Sequence, residues 1–235
     1  MCIRDRGWAS IRDMLCCDQL DAAHAIAGLA YVFALGLRQH KRDMAVPLFL
    51  SAQGNAITLS RQLPHSLIGS GSGLLAYLDK HWRHTRPLTF AAAHPFAAQH
   101  LLLRQWLRKN GVAANDPRVE IIFLPPPVMV QALANGQIDG YCANDPWNSE
   151  ALMTDLGWCC CVSSEIAAVH PEKALLISDV LMSDRSDEVV QLTAALLEAC
   201  QLCQRLDFRE DLIQILHKPH YLSLIHISEP TRPRL

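Results

Sequence analysis

Apolar and polar positions along this chain follow two periods, and the changes between them mark out its elements. The pattern is most regular from Leu88 onward. An apolar run at Leu88–Ala93 precedes a stretch with helical spacing, Phe96–Lys109, which Asn110-Gly111 stops. A run at Val119–Leu124, helical spacing over Val128–Ala134 and a short run at Ile138–Cys142 follow. Strands alternating with helices in this way predict a mostly parallel sheet covered by helices, an α/β protein. Earlier in the chain, Trp8, Ile11 and Leu15 predict a helix over Gly7–Leu15. Gln19–His24 reads as a short edge leading into a helix at Ala25–Leu35. Met44–Ser60 holds two strand-like runs around Gln53-Gly54-Asn55, and Pro64–Gly73 is a Gly- and Ser-rich surface loop. Later, Trp158–Val162 predicts a strand returning across a hinge. Asp187–Leu206 predicts an amphipathic helix whose core stripe is Val189, Leu192, Leu196, Ala199 and Cys203. Asp211–Leu216 begins one more helix.

The stretch Ala134–Asn148 is the centre of this organisation. A polar turn, Asn135-Gly136-Gln137, leads into the apolar run, and a second turn follows at Asn144-Asp145-Pro146. Pro146 suits the first position of a helix, where its missing N–H is harmless, and Asp145 can cap free backbone donors. Strand, tight loop and helix start form the geometry in which α/β proteins hold ligands beyond the carboxyl ends of their strands. On spacing alone, it is also an ordinary βα connection.

Composition narrows the function classes. The 235 residues are 50% hydrophobic and 19% charged, enough for one large or two small globular domains. With a net charge of −2 and no dense basic run, no direct nucleic-acid binding is expected. No apolar stretch is long enough to span a bilayer. The nine cysteines include the consecutive Cys16-Cys17 and Cys159-Cys160-Cys161, which point to opposite faces of a strand and make poor disulfide material. Cys200 and Cys203 form a CxxC with no second pair at zinc-finger spacing. Such thiols suit a reducing compartment, so a cytoplasmic location is expected, with a periplasmic or membrane-associated one as the alternative. His24 has no partner at ligand spacing, and neither a metal nor a cofactor is expected. Asp139 and Asp145 are turn-like, Cys142 has no evident His base, and the Gly71–Gly73 run lacks a following G-K-S/T, so no catalytic set emerges.

The motifs carry a resemblance. GQIDGYCANDPWN resembles the segment G-x-I-D-G-(F/Y)-C-x-x-(E/D)-P-W-N of the nitrate-, nitrite- and bicarbonate-binding proteins related to ABC-transporter solute-binding components. The preceding PPPVMVQAL, Pro125–Leu133, is similar to that family's PPPQMV run, and the likeness extends in order from about Gly7 to Leu222. The ends, MCIRDR and SLIHISEPTRPRL, resemble translated sequencing-adaptor read-through. The expectation is therefore non-native tails at 1–6 and 223–235 on an N-terminally truncated native piece. The resemblance implies a two-lobed, periplasmic-binding-protein-like fold (type II, Venus flytrap). Lobe one would be 7–52 with 158–222, and lobe two 53–157.

The same resemblance implies an anion site in the cleft between lobes. GWASIRDML is similar to the family's S-W-x-x-x-R-D segment, whose Trp lines the pocket, which points to Trp8. QGN stands where the family has N-G-Q or N-G-N, placing Asn55 at the ligand position and Gln53 at the first position. HPFAAQHLLLRQW aligns with F-P-x-S-S-H-N-x-x-L-R-Y-W-L; counting back from Trp106 puts Gln99 where the family has its ligand-binding His, with His100 one place later. Gln is also found there in bicarbonate-binding relatives. HPEKA matches the family's segment whose Lys contacts nitrate, here Lys173. Bicarbonate-binding relatives carry an acid there with a metal ion, so Lys173 implies a metal-free site. One cation, neutral donors and an aromatic wall suit nitrate or nitrite. Two roles are implied: a nitrate sensor holding an RNA-binding antiterminator protein, to which HAIAGLAYVFALGL is the more similar, or the component delivering nitrate to an ABC permease. A small-molecule enzyme on the same fold, of the thiamine-precursor kind, is the reading from another class.

Overall fold

A computed structural model describes residues 8–37, 41–65, 73–81 and 86–216. The expected tails at 1–6 and 223–235, and most of the Gly/Ser loop at 64–73, lie outside these residues. The chain divides into two units, Met1–Ser51 with Lys173–Leu235, and Ala52–Glu172.

The first unit begins with α1 (Trp8–Cys16), β1 (Ala22–Ile26), α2 (Gly28–Leu35) and β2 (Met44–Ala52). Gly36 ends α2 in the left-handed conformation, φ 65°, where a side chain would be strained. The second unit runs β3 (Asn55–Ser60), α3 (Gly73–His81), β4 (Leu88–Ala92), α4 (Ala98–Lys109), β5 (Val119–Phe123), α5 (Pro126–Ala134), β6 (Gly140–Asn144), α6 (Trp147–Met153), β7 (Gly157–Val162) and α7 (Ser163–Ile166). The first unit resumes through β8 (Pro171–Ser178), α8 (Asp179–Asp184), α9 (Ser186–Gln204) and α10 (Arg209–Leu216).

In the second unit, five strands form one sheet in the order β5-β4-β6-β3-β7. β4 is parallel to both β5 and β6, whereas β3 runs antiparallel to β6 and β7. The sheet is therefore mixed, not mostly parallel as the alternating pattern predicts. The antiparallel part comes from β3, which precedes the regular βα run and inserts beside β6. Every residue of β3 and β4 is buried, the polar Asn55, Thr58, Ser60 and Thr89 among them. Ile57, Leu59, Phe90, Leu103 and Trp106 share one core with Cys142 of β6.

β7 also corrects a boundary. Trp158–Val162 was expected to return to lobe one, but it pairs with β3, Trp158 opposite Leu59 and Val162 opposite Ala56. Residues 158–172 therefore belong to the second unit, and the later passage falls between Glu172 and Lys173.

In the first unit, β8 lies between β1 and β2 and is antiparallel to β1. Leu175, Ile177 and Val189 form its small core, with Leu48, Leu50 and Leu196 packed against it. The stripe expected on α9 holds only in part. Val189 is buried and Leu196 half-buried, but Leu192 is 39% exposed, and Ala199 and Cys203 are exposed. The contact line instead follows Val189, Thr193, Leu196 and Cys200, the last with its Sγ 3.7 Å from the Leu50 carbonyl. A wide apolar face gives the helix its period without deciding which part of that face meets the sheet.

Candidate functional site

The conspicuous Ala134–Asn148 loop turns out to be a structural knot. Asp139 accepts two bonds from the Arg86 guanidinium, at 2.7 and 3.1 Å, and one from the Thr89 backbone N–H at 2.7 Å. Gly140 admits no side chain, since a Cβ there would stand 2.8 Å from both Leu59 Cδ2 and the Thr58 carbonyl. The Tyr141 hydroxyl donates to the Trp147 carbonyl at 2.7 Å, and burial pushes that phenol well above its ordinary pKa. Asn148 is buried, accepting from Thr58 Oγ1 and donating to the Ala143 carbonyl, each at 2.8 Å. Pro146 precedes the helix, at its N-cap, instead of occupying its first turn, and its peptide bond with Asp145 is cis. Asp145 caps as expected, its Oδ1 accepting from the Ser149 N–H at 3.1 Å.

The candidate polar groups of the second unit gather elsewhere. Gln53 and Gly54 both take positive φ, 60° and 78°, and this reversal carries the chain from β2 into β3. Beyond it, Asn55 and Gln99 are each 2% exposed, and they meet a third side chain, Glu172, 4% exposed. Asn55 Nδ2 donates to Glu172 Oε2 at 2.8 Å. Gln99 Nε2 donates to Glu172 Oε1 at 2.8 Å and to Asn55 Oδ1 at 2.9 Å. Gln99 Oε1 is buried without a hydrogen-bond partner. Burial, then the charges of Cys161 and Glu172, push the Cys142 thiol well up, so it is a packing group rather than a nucleophile.

Gln53 and His100, singled out with these residues, go elsewhere. The Gln53 carboxamide donates to the Ala168 carbonyl. His100 Nδ1 lies 2.7 Å from the Pro95 carbonyl, and its ring stands edge-on to Phe123 at 5.2 Å. Burial lowers the pKa of His100; the Pro95 carbonyl opposes this and Arg104 adds to it.

In the first unit, Lys173 places Nζ 5.4 Å from the centre of the Trp8 ring, a cation–π geometry. The His24 ring stands edge-on to Trp8 at 6.0 Å. Burial, and then the Lys173 charge, lower the pKa of His24, which keeps the imidazole neutral beside the ammonium. The structure thus brings Asn55 to Gln99, and Lys173 to Trp8. Glu172 was missed by sequence reasoning. Its signal was the strand itself: neighbours on β8 face opposite ways, so Glu172 and Lys173 turn to different surroundings. Among the described residues, no group of three or more His, Cys, Asp or Glu is placed to hold a metal ion.

Comparison with known proteins adds to this geometry. A model described as the NMT1-like family matches residues 2–217. The nitrate import ATP-binding protein NrtC of Synechocystis sp. is 31% identical over 221 residues, 94% of this chain and 32% of that protein. The bicarbonate transport ATP-binding protein CmpC of the same organism is 32% identical over 238 residues, 97% of this chain and 34% of that protein. Among solved structures, the periplasmic nitrate-binding protein NrtA from Synechocystis PCC 6803 superposes with a TM-score of 0.80 at 22% identity, over 92% of this chain and 57% of that one. The chain thus spans about a third of the length of these ATP-binding proteins.

Proposed function

The chain belongs to the NMT1-like family, and on that premise we propose that it is a solute-binding module for a small planar oxyanion, serving an ABC-type import system. Nitrate and nitrite are the first ligands of this reading, and hydrogencarbonate the second. The observation that carries it is the sequence likeness to the nitrate import protein NrtC and the bicarbonate transport protein CmpC, 31% and 32% identical over 94% and 97% of this chain. Each unit carries candidate groups of the right chemistry: Lys173 and Trp8 a positive charge and an aromatic surface in the first, Asn55 and Gln99 neutral polar groups in the second. A single compensating cation suits a monovalent anion, because a second unpaired charge would be expensive to bury. No catalytic step is part of this reading.

The similarity to NrtC and CmpC supports the import-system context, and a sensing role rests on the resemblance of His24–Leu37. An RNA-binding antiterminator as the partner rests on the resemblance of His24–Leu37 alone, and delivery to a permease is the alternative.

Calorimetric titration with sodium nitrate, nitrite and hydrogencarbonate tests the proposal. Lys173→Glu should weaken binding by at least tenfold, since a charge-assisted bond contributes about 1.5–3 kcal/mol and repulsion adds to the loss. Absence of binding of all three anions at millimolar concentration overturns the reading. Unchanged affinity in the variant removes Lys173 from the site.

A further inference from the structure

Cys159, Cys160 and Cys161 sit on β7, an outer strand of the five-stranded sheet, and anion binding uses none of them. On a regular strand Cys160 and Cys161 would face opposite sides. The pairing of β7 with β3 departs from that pattern. Ile57 stands opposite Cys161 and Thr58 opposite Cys159, so Cys160 is an extra residue, a β-bulge. The bulge turns the two neighbours to one side. Cys160 and Cys161 both pack against the core that contains Ile57, Leu103 and Trp106, and their sulfurs lie 3.8 Å apart. Cys159 is left out of the pair, its Sγ 3.8 Å from the Cys161 carbonyl. Both paired thiols are only half-buried. The Cys160 S–H donates to the Cys161 sulfur and holds that thiol below its ordinary pKa; burial and the Glu165 charge oppose this, and the Lys109 charge adds to it. The pair therefore contains one thiol that ionises readily, and the thiolate is the nucleophile.

We propose that Cys160 and Cys161 form a vicinal dithiol site for a thiophilic centre that bonds both sulfurs through one atom, the ligand class being a trivalent arsenical. Other uses of the pair fit its geometry less well. A disulfide between neighbouring residues is strained, because consecutive Cα atoms stand about 3.8 Å apart, inside the roughly 4.4–6.8 Å that a disulfide prefers. A tetrahedral metal ion needs further ligands, and among the described residues no group of three or more His, Cys, Asp or Glu is placed to hold one. A linear two-coordinate ion wants its sulfurs on opposite sides of it, whereas the bulge presents both to one side. Trivalent arsenic is pyramidal and carries both As–S bonds on the same side. With an acid of the type R–As(OH)2, the Cys161 thiolate displaces the first hydroxyl and Cys160 the second. Two As–O bonds break, two As–S bonds form, and two waters leave with the protons of the two thiols. Arsenic stays trivalent, so the step needs no oxidant or reductant.

The test counts bound arsenic. The whole chain, kept reduced with a phosphine, is titrated with phenylarsine oxide, and the arsenical held per chain is read by native mass spectrometry. The chain has nine cysteines, so the readout is the change that each variant makes to the wild-type count. Cys160→Ser and Cys161→Ser should each lose one equivalent, and Cys159→Ser should lose none. The Cys159 variant separates the bulge from a regular strand, on which Cys159 and Cys161 would share a face. Cys160→Ala and Cys161→Ala keep the question answerable if the serine variants do not fold. A count unchanged by loss of Cys160 or of Cys161 overturns the proposal. So does loss of the equivalent in Cys159→Ser, whether Cys160→Ser retains it or not.

Discussion

Replacing Asn148 with Asp tests the view that the P-W-N segment is a structural knot. The exchange preserves shape and puts an oxygen where Asn148 Nδ2 donates to the Ala143 carbonyl at 2.8 Å. Thr58 Oγ1 can still donate to the other oxygen. When ionised, the new carboxylate is buried against a carbonyl. When protonated, it restores the lost donor. The fold therefore holds the acid neutral, raising its pKa above the unfolded value of about 3.9. Between those two values the folded state binds more protons than the unfolded state, so stability falls as pH rises and is complete only below about pH 3.9. At about 1.36 kcal/mol per unit, the penalty approaches a ceiling of about 5 kcal/mol at pH 7.5 and about 1 kcal/mol at pH 4.5. Leaving the Ala143 carbonyl unsatisfied sets a floor of about 1–3 kcal/mol for the ionised form. Since a domain holds only about 5–15 kcal/mol in all, the variant is close to unfolding at pH 7.5. Urea titrations of both proteins, followed by tryptophan fluorescence from pH 4.5 to 7.5, give the difference at each pH. A difference below about 1 kcal/mol at pH 7.5, or one independent of pH, refutes the reasoning.

Gly140→Ala should cost at least about 1–3 kcal/mol, because the new methyl meets the Thr58 carbonyl, which cannot move without breaking the β3–β6 ladder; thermal unfolding measures it, and an unchanged midpoint counts against the packing described. His100 has its pKa lowered in the fold, so the unfolded chain binds more protons and stability falls as pH drops below about 6.5. His100→Gln should flatten that slope in urea titrations between pH 7.5 and 5.5, and an unaltered slope would place the titration elsewhere. The same variant tests whether His100 serves the anion. With its Nδ1 on the Pro95 carbonyl, it should leave nitrate affinity unchanged, and a loss on calorimetry would return it to the site.

Local pattern was enough for the α/β alternation from β4 to α5, because each element there is defined by its own period and stopped by its own residues. It was not enough for what those elements meet. The strand after Gln137 begins at Gly140, two residues later than the apolar run Ile138–Cys142 suggests. The shift follows from Asp139 being held by Arg86 and Thr89, and from β3 lying too close for any Cβ at 140. Neither neighbour is near in sequence. The placement of β7 and the buried line on α9 fail to show in the sequence for the same reason.

The candidate residues divide along that line too. Trp8, Asn55, Gln99 and Lys173 were legible as motif positions, since their type and spacing travel with the segments around them. Glu172 was equally visible as a letter, yet nothing local says that residue 172 reaches Asn55 and Gln99 across 117 and 73 positions of chain. Hydrogen-bond direction belongs to pairs of groups in space. That two amides are available can be read from the letters alone; which way they point is set by the carboxylate that the fold brings to them.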